Sequence, residues 1–183
     1  MPLIVKSRRT SADNLSKAYP DAIILDVTSR GCEPWVRFSP FYPHGGIPVP
    51  FSPDKFSMTV EGIWQGLKVF DKTEVDTSKL LISDMKGIKR SASKYGKVLG
   101  HRAGFFGDRL LSYGDARRQI YLPSYRWVLE NRVQDLVKNL QQLVDKQTVI
   151  LLDYETNCDV NDLSRPLSHA GLLKLYLEDN WPN

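Results

Sequence analysis

The chain has 183 residues and a mass of 20.9 kDa, with 42% hydrophobic and 25% charged residues, a formal charge of +4 and a pI near 9.0. Such a chain buries most of its apolar surface without disulfide staples, which excludes a disordered or uniformly basic tail, and no run of 18 apolar residues offers a membrane-spanning helix. The charge is uneven: residues 84–118 carry nine Lys/Arg against three Asp, a balance of +6, and residues 150–183 carry two against six Asp/Glu, a balance of −4.

The first ten residues place a short apolar stretch before Lys6, Arg8 and Arg9, the reverse of a secretory leader, so a cytoplasmic chain with no membrane partner is expected. Cys32 and Cys158 read as thiols, and neither they nor His44, His101 and His169 stand at metal-ligand spacing. No metal and no cofactor is expected.

Residues 11–19 read as a short helix capped by Thr10 or Ser11 and stopped by Pro20. Residues 22–28 (AIILDVT) read as a buried strand. Residues 39–53 hold five of the eleven prolines and predict an irregular segment, which in a small domain is usually functional. Ser57 or Thr59 then caps a helix reaching about Phe70, and a second helix is expected over 88–99, closed by Gly100. Gly104 and Gly107 mark a loop, and 113–121 reads as helix interrupted by Pro123. Tyr125, Val128, Leu129, Val133, Leu136, Val137, Leu140 and Val144 recur at three- and four-residue spacing, predicting one amphipathic helix of some twenty residues. Residues 148–152 predict a second buried strand, 153–166 an acidic loop and 170–178 a last helix opened by Ser168 or His169. The fold class expected is α+β, a mostly helical single domain over 1–183 with a few short strands.

On a helix over 57–70, Glu61, Gln65 and Lys68 share one face with Trp64 beside them, while Val60, Ile63, Leu67 and Phe70 form an apolar stripe. A carboxylate can act as base or stabilise a cation, a desolvated lysine becomes a nucleophile, and an indole stacks on a planar base. The plainer reading is a solvated face with Trp64 at the core edge. His169 at a helix start reads as a cap or a satisfied polar group. Residues 86–91 offer backbone N–H groups at an expected helix start, a usual anion site.

The order of segments narrows the choice. Phe38-Ser39-Pro40-Phe41-Tyr42-Pro43, then Val60-Glu61-Gly62-Ile63-Trp64-Gln65-Gly66-Leu67-Lys68-Val69-Phe70, then Ser91-Ala92-Ser93-Lys94-Tyr95-Gly96-Lys97, then Ser168-His169-Ala170-Gly171-Leu172-Leu173 follow one another. This series resembles the NADAR (YbiA-like) family over residues 38–177, with 1–37 as an N-terminal helix and strand and 38–179 as the family-like core. Pro40 stands where that family has Asn, Gly62 where it has His and Trp64 where Tyr is common. Its D-x-x-W-G segment is missing, with Asp159 or Asp162 as the nearest match.

The resemblance implies hydrolysis of an N-glycosidic bond at a ribose C1′ carbon, in a nucleotide, a ribosyl phosphate or an ADP-ribosyl group, including one carried on guanine in nucleic acid. It implies Glu61 and Asp159 as carboxylates for the developing sugar cation or for water, and Lys68 as the amine that forms a Schiff base with the ring-opened C1′. Trp64 and Gln65 would flank the substrate. Phe41 and Tyr42 either wall the ligand or pack in the core. Lys89, Arg90, Lys94, Lys97, His101 and Arg102 would hold a pyrophosphate or nucleic-acid phosphates. The −4 segment would supply the second carboxylate across the site from the +6 segment. The alternatives are a non-catalytic ADP-ribose or nucleotide-binding module and a nucleic-acid-binding protein built on the basic segment.

Overall fold

In a computed structural model, which describes residues 2–182, helices alternate with short strands in an α+β arrangement. In chain order the elements are β1 (Leu3–Ser7), α1 (Ala12–Ala18), β2 (Ile23–Asp26), β3 (Ile47–Pro48), β4 (Phe56–Ser57), α2 (Val60–Gly66) and β5 (Lys68–Phe70). They continue with α3 (Ala92–Tyr95), β6 (Val98–Arg102), β7 (Leu110–Leu111), α4 (Tyr113–Ala116), a π-helical turn (Arg117–Tyr121), α5 (Leu122–Asn131), α6 (Gln134–Lys146), β8 (Val149–Asp153) and α7 (His169–Leu177). Contacts divide the chain into two compact units, Met1–Ser39 with Val133–Asn183, and Pro40–Arg132. No helix among the described residues is long and apolar enough to cross a membrane.

The first unit is built on a parallel sheet in the order β1-β8-β2, with Ile150 of β8 level with Ile4 and Ile24. β8 is central, so Val149, Ile150 and Leu151 are buried, as expected of an apolar run covered on both faces. Ser11 caps α1 by accepting the Asn14 N–H, and Ser168 caps α7 by accepting the Gly171 N–H. Leu15, Leu136, Leu140, Leu172 and Leu173 complete this core.

The second unit pairs β5, β6 and β7 as an antiparallel sheet and β3 with β4 as a short hairpin. Helix α2 packs among these elements through Val60 and Ile63, both buried. Ile120, Tyr125, Val128 and Leu129 bury the inner face of the helical stretch that closes the unit.

Four expected elements differ. The helix read over 57–70 ends at Gly66, and Lys68–Phe70 is a strand because β6 offers it a ladder partner. The helix expected over 88–99 shrinks to Ala92–Tyr95; Gly96, at φ +84, ends it, and Val98–Arg102 is a strand between β5 and β7. The twenty-residue amphipathic helix is two helices, parted where Val133 leaves helical geometry. Pro123 does not interrupt its helix: helical geometry runs without a break from α4 through the π-helical turn into α5, with Pro123 just past that turn. The anion site expected at 86–91 has no helix start, since α3 begins at Ala92.

Candidate active site

The start of α2 is tightly fixed. Thr59 Oγ1 accepts the Gly62 N–H at 2.8 Å, and Ser57 Oγ donates to the Thr59 carbonyl at 2.8 Å. The Glu61 N–H donates to the Pro40 carbonyl at 2.9 Å. A Cβ at Gly62 would stand 2.5 Å from the Lys79 carbonyl oxygen, so no side chain fits there. The histidine that the resembled helix carries at this position has no room in this chain.

Glu61 lies in the first turn of α2, where the helix dipole favours a carboxylate, and it is 7% exposed. Gln65, one turn on, donates from Nε2 to Glu61 Oε1 at 2.8 Å. Gln65 Oε1 accepts both Lys68 Nζ at 3.1 Å and the Arg90 N–H at 3.0 Å. Carboxylate, amide and amine therefore form one hydrogen-bonded line, although Lys68 belongs to β5 and not to the helix.

Burial pushes the Lys68 amine below its ordinary range. Glu61 opposes that shift, while the charges of Arg90 and Lys89 add to it. The arrangement moves a half-buried amine toward its uncharged form, the direction a lysine nucleophile needs.

An aromatic group flanks this line. The Trp64 and His101 rings lie against each other, tilted by 32° with centroids 3.8 Å apart, and Tyr121 and Tyr113 stand 5.6 and 6.0 Å from Trp64. Arg117, 2% exposed, lies 4.5 Å from the Tyr113 ring centroid and donates to its hydroxyl at 3.0 Å. Arg117 and Tyr121 bound the π-helical turn, an irregularity common at functional sites.

The basic residues have different settings. Arg90, 5% exposed, donates to the carbonyls of Gln65, Lys68 and Glu74 at 3.1, 2.6 and 2.7 Å and lies over Phe70 and Tyr95. It is a strut beneath the amine, with two guanidinium nitrogens committed to backbone rather than to phosphate. Arg102 donates to Glu74 Oε2 at 2.7 Å and to the Asp108 carbonyl at 2.8 Å. His101 is 1% exposed and held neutral, its pKa lowered to about 3 by burial and then by the Lys68 charge. That removes it from the expected phosphate-holding set. Lys89, Lys94 and Lys97 are exposed; Lys89 Nζ lies 5.5 Å from the ring centroid of half-buried Phe41, and Lys94 Nζ 5.1 Å from that of Tyr95.

Asp159 belongs to the first unit, in the loop between β8 and α7. It is exposed, and its Oδ1 accepts the Asn161 N–H at 2.8 Å. Nearby in sequence, Asp153 Oδ2 accepts Ser168 Oγ at 2.8 Å, His169 Nδ1 at 3.0 Å and the Ala170 N–H at 3.3 Å. His169 Nε2 meets the Val27 carbonyl at 2.8 Å. Burial alone would raise the Asp153 carboxyl, but the His169 charge and these hydrogen bonds hold it down at about 2. Burial alone would lower His169; Asp153 and the Val27 carbonyl together raise it. This pair ties α7 to the carboxyl end of the parallel sheet.

Reading by spacing missed Tyr113, Arg117 and Tyr121, and it gave His101 a phosphate-holding role instead of a place beside Trp64 and Lys68. Tyr113 and Arg117 carry a signal, an aromatic and a cation one helical turn apart. His101 carries none, since a single histidine in a strand has no period. Among the described residues no group of three or more His, Cys, Asp and Glu is placed to hold a metal ion.

Of known sequence families, one described as a family of unknown function (DUF6939) matches residues 7–173. No curated protein matches the chain.

Proposed function

The chain belongs to the DUF6939 family, whose description assigns no activity, and from its second unit we propose a metal-independent hydrolase of an N-glycosidic bond at a ribose C1′ carbon. The observation that carries this reading is the line from Glu61 through Gln65 to a desolvated Lys68, flanked by Trp64. The substrate class follows the motif order that resembles NADAR proteins: a nucleotide, a ribosyl phosphate or an ADP-ribosyl group.

In this reading the neutral Lys68 amine adds to C1′ of the ring-opened sugar. The C1′–N bond breaks, the base nitrogen leaves with the two protons of the Lys68 amine, and C1′ stays attached to Lys68 as an imine, which a proton from water turns into the iminium. One water then adds to C1′ and releases the free amine and the sugar, which recloses. Glu61 stabilises the positive charge on C1′ or takes the proton of that water. Trp64 flanks the sugar or base, and exposed Lys89 and Lys97 attract phosphate.

The test is incubation with ADP-ribosylated guanine and with ribosyl-amine phosphates, read by mass spectrometry. Release of sugar by the native chain and its loss in Glu61→Gln support the proposal. Tight ADP-ribose binding without turnover replaces it with a binding module.

A second reading, nucleic-acid binding, has its own observation. Phe106, 78% exposed, and Phe51, 48% exposed, sit on adjoining loops, with Lys55 Nζ 5.5 Å from the Phe106 centroid and the Arg109 guanidinium 5.5 Å from that of Phe51. Exposed rings beside cations suit stacked bases and their phosphates. Binding to unmodified single strands with a steep salt slope, and none to ADP-ribose, favours this reading.

A further inference from the structure

His101 is buried with neither ring nitrogen hydrogen-bonded. Buried polar groups normally find partners, and an exception at a site calls for a reason. The other buried histidine shows what partners do. His169 has a carboxylate on one nitrogen and a carbonyl on the other, and together they raise its pKa. His101 has no acceptor, and it stays uncharged.

The place of this uncharged ring matters. Lys68 and His101 are register partners in the antiparallel β5–β6 pair, so their side chains leave the same face of the sheet as neighbours. Trp64 lies against the imidazole at a 32° tilt, and Tyr121 and Tyr113 stand around Trp64. An acceptor that paired with His101 here would also be an acceptor beside Lys68 and would anchor it as an ammonium. The charged groups acting on Lys68 are Glu61 from α2 and Arg90 and Lys89 from the segment before α3. Arg117 stands behind Tyr113. The β6 side thus contributes a flat uncharged ring to the surroundings of Lys68.

We propose that His101 is a positioning residue for Lys68: an imidazole without an acceptor, covered by Trp64, that keeps counter-ions and water off the β6 side of the amine and so presents Nζ as a nucleophile. The inference rests on reading Lys68 as the reacting amine.

The experiment measures the amine directly and uses no sugar. The full chain is acetylated at a series of pH values, and the rate at Lys68 is followed by peptide mass spectrometry against exposed Lys72 and Lys146 as internal standards. In the native chain the Lys68 rate profile has its midpoint below theirs. His101→Phe keeps that low midpoint, because a ring still covers the amine. His101→Ala admits water and moves the midpoint up towards the standards, and His101→Glu moves it further. Amide fingerprint spectra establish that each variant is folded, and the Ala variant carries the test by itself if the Glu variant is not.

A native Lys68 that titrates with the standards overturns the proposal, and so does a low midpoint that His101→Ala leaves in place. A chain that releases no sugar but shows the His101-dependent midpoint overturns the glycosidase reading alone. An active chain whose midpoint ignores His101 overturns this inference alone.

Discussion

Lys68 Nζ donates to Gln65 Oε1 at 3.1 Å although the two residues lie in different elements, one in strand β5 and one in helix α2. The same oxygen receives the Arg90 N–H at 3.0 Å, and the Gln65 amide nitrogen donates to Glu61. Gln65 therefore orients the amine and the carboxylate at once. Gln65→Leu leaves the buried Arg90 N–H without this acceptor and removes a donor from Glu61. It is expected to destabilise by about 1–3 kcal/mol and to lower kcat/KM for sugar release by about 100-fold. Gln65→Glu keeps an acceptor for Lys68 but sets a second carboxylate beside Glu61, and it is expected to move the pH profile of activity to higher pH. Urea melts and pH–rate profiles check both.

Arg90 and Lys89 are adjacent in sequence and opposite in setting, one buried on three carbonyls and one exposed. Arg90→Lys cannot reproduce the planar fork and is expected to cost about 2–4 kcal/mol of stability. Lys89→Ala and Lys97→Ala are expected to stay within about 0.5 kcal/mol and to weaken binding of a phosphorylated substrate, with a smaller salt dependence than the native chain. Thermal melts beside binding at two salt concentrations separate the two classes.

Gly62 is closed to side chains by the Lys79 carbonyl and by Thr59 Oγ1, 2.5 and 2.8 Å from a hypothetical Cβ. Gly62→Ala is expected to destabilise by about 2 kcal/mol or more through overpacking. Gly62→His is expected to yield no soluble folded chain. A stable Gly62→His variant with raised activity would show that α2 sits differently.

The two buried histidines give opposite pH responses. The folded-state pKa of His169 is raised, so its contribution is full below its unfolded value of 6.5 and fades as pH rises through the folded value. Asp153 titrates at about 2 when folded, so its contribution is full above 3.8 and fades towards pH 2. The pair contributes most between those unfolded values. His101 stays neutral down to about pH 3, so below 6.5 the unfolded chain takes up a proton the folded chain refuses, and acid destabilises. His101→Phe is expected to lessen the acid loss between pH 6.5 and 3. Asp153→Asn is expected to cost about 3 kcal/mol near pH 5 and to flatten the alkaline side. Melting temperatures from pH 3 to 9 decide both.

The legible parts of the fold were those governed by local rules. The two helix starts are readable to within a residue, at Thr10 or Ser11 and at Ser168 or His169, with 148–152 as a buried strand and 39–53 as mostly irregular, because capping, apolar runs and proline act over a few residues. The parts that were not legible depend on distant partners. Lys68-Val69-Phe70 continues a helical pattern in sequence, and only pairing with 98–102 makes it a strand. The break at Val133 lies inside an unbroken apolar period, and the period does not register it. Glu61, Gln65 and Lys68 were chosen as one helix face. The structure joins them by hydrogen bonds across the end of that helix, so the grouping was readable while its geometry was not. His101 reads in sequence as part of the basic segment; its place beside Lys68 is not legible because that partner on the sheet is 33 positions away.

In the proposed mechanism Lys68 reacts with the sugar. The most direct measurement is borohydride reduction during turnover of an ADP-ribosyl or ribosyl-amine substrate, followed by peptide mapping. A reduced sugar adduct is expected on Lys68, absent without substrate and absent in Lys68→Met, which also loses sugar release. Full release of sugar with no adduct on Lys68, and undiminished release by Lys68→Met, would contradict it.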